Sequence, residues 1–147
     1  MKSFDWVTAG QNLFTQGSSY TISSLASDDS AGTALSSYAT DQGVYTTGSY
    51  TGFGFRFRAR ASSVGSQTLE LYCSAYSAGV TLTAHLSDGS VADVTDVVDT
   101  LSGGYNYFVW TVNYQSARDG QELDISATVT TNHGNYPNLK FIAATLY

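Results

Sequence analysis

The sequence predicts an all-β fold, on three observations. Apolar and polar side chains alternate with a two-residue period along much of the chain, the mark of half-buried strands. No extended stretch shows apolar spacing at three and four residues, so helical signals are absent. Turn-forming Gly, Ser, Asp and Asn interrupt the pattern about every 8–12 residues, as in a sandwich or barrel.

Taken in order, Phe4-Asp5-Trp6-Val7 and Tyr20-Thr21-Ile22 read as short strands. Ser23 to Thr40 reads as a loop rich in Ser, Ala and Asp, and Gly43-Val44-Tyr45 starts the next strand. The clearest strand runs from Phe53 to Ala61. There Phe53, Phe55, Phe57, Ala59 and Ala61 point to one side, and Arg56, Arg58 and Arg60 to the solvated side. Thr68 to Tyr76 follows, with Leu69, Leu71, Cys73 and Ala75 inward. Ser77-Ala78-Gly79 turns the chain into a partner strand carrying Val80, Leu82, Ala84 and Leu86.

Ser87-Asp88-Gly89-Ser90 ends that strand, because Asp and Gly tolerate positive φ. Residues 105–114 place Phe108, Trp110, Val112 and Tyr114 on one face. Arg118-Asp119-Gly120 is a turn, and Leu123, Ile125, Ala127 and Val129 mark a further strand. Asn135-Tyr136-Pro137-Asn138 leads into a closing strand from Leu139 to Leu146. With no internal repeat and no linker, residues 1–147 read as a single domain.

The chain has 147 residues, enough to bury a core without disulfides or a metal. Charged residues make up only 12%, about half the usual share. Hydroxyls and amides solvate the surface instead, which suits a neutral ligand. A net charge of −6 with six basic residues argues against nucleic acid, whose phosphates need Lys and Arg. It argues equally against an anionic membrane surface. Cys73 is the one cysteine, so no intrachain disulfide can form, and its phase with Leu69 and Leu71 makes it a buried thiol.

The segment Met1-Lys2-Ser3-Phe4-Asp5 lacks the apolar stretch of a signal peptide. The Ser/Thr/Tyr-rich, Lys-poor composition points to a module of a larger secreted or cell-surface bacterial protein, the alternative being a cytosolic chain.

A resemblance enters with Gln67-Thr68-Leu69-Glu70-Leu71-Tyr72-Cys73-Ser74-Ala75-Tyr76-Ser77-Ala78-Gly79 and Val80-Thr81-Leu82-Thr83-Ala84-His85-Leu86-Ser87-Asp88-Gly89-Ser90. This run resembles bacterial galactose-binding-like β-sandwich modules, found in secreted polysaccharide-degrading enzymes and other surface proteins. Asn138 to Leu146 looks like their closing strand, and Asp5-Trp6 like their start. Tyr76 stands where the pattern tends to show tryptophan. The resemblance implies a jelly-roll sandwich of about eight to ten antiparallel strands. It also implies, by analogy, a carbohydrate-binding role.

The residues themselves offer little catalytic chemistry. His85 falls out of phase with its inward neighbours, and His133 lies in the loop Thr131 to Pro137. No Ser-His-Asp pattern or zinc spacing stands out. Most carboxylates sit beside turn residues, as solvated turns require, so a glycosidase pair is the weaker reading. No cofactor is expected except one structural Ca²⁺, for which Asp28-Asp29-Ser30 or Asp93, Asp96 and Asp99 offer hard oxygens.

Aromatics make up 14% of the chain, with eleven tyrosines. Tyr and Trp stack on the apolar C–H faces of sugars and hydrogen-bond with their polar tips. Tyr105 and Tyr107 alternate opposite to Phe108 and Trp110, Tyr76 stands at a strand corner, and His133 and Tyr136 share the last loop. These five are the expected ligand-binding residues, with carbohydrate the expected partner. A structural or self-associating module would use the same tyrosines as a protein interface. An enzyme is the third reading, without a reactive constellation to support it.

Overall fold

Each alternating segment has to satisfy two environments at once, and two stacked sheets provide them. The computed structural model describes residues 3–6, 13–15, 20–26, 34–40, 44–46 and 51–147; before residue 51, and at Tyr105, it describes the backbone. The described residues form twelve strands and no helix. They are β1 (Ser3–Trp6), β2 (Leu13–Thr15), β3 (Tyr20–Ala26), β4 (Ala34–Thr40), β5 (Val44–Thr46) and β6 (Gly54–Arg60). The remainder are β7 (Gln67–Tyr76), β8 (Ala78–Leu86), β9 (Val94–Asp99), β10 (Tyr105–Tyr114), β11 (Glu122–Asn132) and β12 (Asn138–Leu146).

One five-stranded sheet has the order β1-β6-β11-β8-β9, the other β10-β7-β12-β5-β2, and β3 pairs with β4 as a separate hairpin. Every pairing is antiparallel. The two larger sheets share one core, as the alternation requires. Phe55, Phe57, Leu82, Ile125 and Val129 come from the first sheet, and Leu69, Leu71, Ala75 and Leu139 from the second. Phe141 of β12 reaches across to Phe57, with ring centroids 4.7 Å apart at a tilt of 54°. The arginines at 56, 58 and 60 face solvent, and Cys73 is buried, both as the phase predicts.

Three expectations are corrected. Val80 to Leu86 does not pair with the preceding strand: β8 lies in the opposite sheet, bonded to β11 and β9. The turn signal at Ser77 was read as a hairpin, but a single corner residue carries the chain from one sheet to the other. The stretch 23–40 is not all loop, since β3 runs on to Ala26 and β4 covers Ala34–Thr40. β9 was not anticipated as a strand. It is a sheet edge with nearly every residue exposed, so it carries no apolar alternation.

Candidate functional site

One end of the sandwich is tied together by a single serine. Ser77 is buried and adopts φ 47°, a left-handed value that turns the chain sharply between β7 and β8. Its amide donates to Gly104 O at 3.2 Å, its Oγ accepts from Gly103 N at 2.7 Å, and its carbonyl accepts from His133 N at 2.9 Å. Ser77 thus links the β7–β8 corner to the β9–β10 and β11–β12 loops. Thr100 reinforces the link, since its Oγ1 accepts from Ala78 N and donates to Ala78 O, both at 2.9 Å. These loops are held by backbone bonds, so side chains mounted on them have a defined placement.

The expected residues gather at this end. Tyr76 closes β7, cross-strand from Tyr105 of β10 and from Asn138 of β12. Two residues further along, Ser74 lies between Tyr107 and Lys140 in the same register. Tyr107 is 48% exposed and Tyr136 77%. Tyr136 sits at φ 63°, and its carbonyl accepts from Asn138 Nδ2 at 3.2 Å. His133 is half-buried, and its Nε2 lies 2.6 Å from Asp99 Oδ1. Tyr76 is half-buried. For Tyr105 the strand position alone is described.

The outward face of the β10-β7-β12 sheet continues from these loops. Ser74 is fully buried there, and its hydroxyl has no hydrogen-bond partner. Further down, Tyr72 OH donates to Glu70 Oε2 at 2.7 Å, and Thr145 Oγ1 and Tyr147 OH reach the same oxygen at 3.3 Å. Burial, then the hydrogen bond and charge of Glu70, push the Tyr72 phenol up to about 12. Ser74 and Thr145 are closed from solvent, so this face presents the half-buried Tyr72 and Glu70 and the exposed Tyr147.

Sequence reasoning missed the roles of Ser77 and Glu70, and it offered Asp99 as a calcium ligand rather than as the partner of His133. The one available signal was the abrupt turn at Ser77, read as a hairpin. It also missed two imidazole–carboxylate pairs, His133–Asp99 and His85–Asp93, both 2.6 Å apart. Among the described residues no hydroxyl is hydrogen-bonded to the second nitrogen of either ring. Asp93, Asp96 and Asp99 do not converge on a calcium site. Each is bonded elsewhere, and among the described residues no three metal-ligating side chains come together. Asp28 and Asp29 lie outside the described residues.

No family model matches the chain, and no curated protein matches it. Solved structures do. A family 16 carbohydrate-binding module superposes with a TM-score of 0.52 at 12% identity, covering 97% of this chain and 89% of that one. A CBM61 module in complex with β-1,4-galactotriose gives a TM-score of 0.50 at 12% identity, covering 95% and 88%. Such low identity speaks for the fold, which is the jelly-roll β-sandwich that the resemblance implied.

Proposed function

We propose that the chain is a non-catalytic carbohydrate-binding module that holds a poly- or oligosaccharide on the loop tyrosines. The observation that carries this is the convergence of Tyr76, Tyr107 and Tyr136 on one end, around loops that Ser77 ties together. Sugars need flat apolar contacts ringed by hydrogen-bonding groups. The tyrosines supply the first, and His133 and Asp99 the second. The fold shared with carbohydrate-binding modules, one of them described with a galactotriose, supports the reading.

A glycan array followed by calorimetry on soluble β-glucans, galactans and xylans tests it. A saturable isotherm with at least one glycan is expected. Tyr136→Ala weakens it by about 1 kcal/mol, roughly fivefold, the size of a lost aromatic contact. Silence across all three polymer classes overturns the reading, and unchanged affinity in Tyr76→Ala and Tyr136→Ala overturns the choice of loops.

A further inference from the structure

The sandwich is open on the side where β9 and β10, the edge strands of the two sheets, face each other. A cleft of about 310 Å³ enters between the sheets there. Its walls are Leu82, Ala84, Val94 and Val112, with Trp110 from β10 and Asp96 from β9. The register explains this unusual aspartate. Asp96 pairs with Leu82 and Val94 with Ala84, so both stand on the core-facing side of their sheet. Val94 is nonetheless 62% exposed, because β9 projects beyond the packed core.

Asp96 Oδ2 accepts from the Trp110 indole N–H at 3.0 Å, and its Oδ1 accepts from Val97 N at 2.9 Å. Each oxygen keeps capacity for a second bond. Asp93 and Asp99 are each paired with a histidine, and Asp96 is not. Residues 89 to 117 contain these three aspartates and no Lys or Arg. Thr111 and Asn113 of β10 add neutral polar groups to the lining, so Asp96 is its one charged side chain, on an edge with no Lys or Arg of its own.

We infer that this cleft is a second ligand site, distinct from the loop tyrosines, for a sugar ring carrying a free amine. The inference rests on the carbohydrate reading for the choice of a sugar. The cleft itself supplies the amine preference. A protonated amine donates to Asp96, and the C–H face of the ring lies against Val94 and Val112. At about 310 Å³ the site is at the small end of ligand cavities and suits a single ring.

Calorimetry with the glucosamine trisaccharide, against the glucose trisaccharide, decides the matter. The amine-bearing sugar binds at least tenfold more tightly to the wild type. Asp96→Asn, which keeps an acceptor and removes the charge, erases that preference. Val94→Lys, at an exposed position that folding tolerates, abolishes amine binding by placing a cation in the mouth. Tyr136→Ala, which weakens glycan binding at the loops, leaves the preference for the amine-bearing sugar in place. Equal affinity for the two trisaccharides, or undiminished amine binding in Asp96→Asn with a wild-type melting curve, overturns the cleft. If the glycans of the loop test still bind in that case, the carbohydrate reading stands and the second site alone has failed.

Discussion

Asp124 sits on the solvated face of β11, where alternation places a polar residue, and two arginines of β6 close around it. Arg56 Nε donates to Oδ1 at 2.7 Å, its Nη2 bonds Oδ2, and Arg58 Nε lies 3.5 Å from Oδ2. The Arg56 hydrogen bonds, then the charges of Arg56 and Arg58, hold this carboxyl below the usual aspartate range against the opposing effect of burial. A carboxyl with a depressed folded-state pKa contributes its stability in full above the unfolded value of about 3.9, and loses it as pH falls through the folded value. Asp124→Asn should therefore cost on the order of 1 kcal/mol at neutral pH, the scale of a partly exposed pair. The gap to wild type should close as pH falls below about 4. Urea titrations across that range check it, and a constant gap would contradict it. The arginine row was legible as one strand face. Its carboxylate partner was not, because Arg56 and Asp124 are 68 residues apart.

Among elements, the β7–β8 corner connects packing to site. Replacing Ser77 by Ala keeps the turn and removes the acceptor for Gly103 N, a loss of about 1 kcal/mol. Replacing it by Val adds a β-branched side chain at φ 47°, so Ser77→Val should be less stable than Ser77→Ala by a further 1–2 kcal/mol or so. Both should also loosen the loops that carry Tyr136 and His133, which would weaken glycan binding. Thermal melts of the two variants give the order, and a Ser77→Val protein as stable as Ser77→Ala would refute the strain argument. This corner also marks where sequence reading stopped. Strands β6, β7, β10 and β11 were legible because each lies between core and solvent and records both in its alternation. Strand β9 was not, because an edge strand exposed on both faces has no contrast to record. For the same reason Asp96 read as a solvated carboxylate offering a hard oxygen for calcium, beside Asp93 and Asp99. Only its pairing with Leu82 reveals that it faces inward.

For the molecule as a whole, the pattern gave the layers but not the wiring. Gly, Asp and Ser say where the chain turns, and nothing local says which sheet it turns into. The partners are distant: Ser3 pairs with Arg58, Leu69 with Leu146, and Arg60 with Glu122. Each sheet can close only after long loops have been ordered, and that entropy is lost before the contacts repay it. Consecutive strands pair in β3–β4 and β8–β9, but the one-residue corner at Ser77 sends β7 and β8 into different sheets, so local hairpins cannot close either large sheet. Refolding should therefore be slow for a chain of this size, with a relaxation time between about a millisecond and several seconds at 25 °C. Stopped-flow dilution from urea can follow it through Trp110 in a Trp6→Phe variant, which removes the chain's other indole. That indole is buried at the join of the two sheets and bonded to Asp96 across them, so its emission reports closure of the sandwich rather than of one strand pair. A main phase completed within tens of microseconds would mean that local contacts dominate, contrary to the sheet order described here.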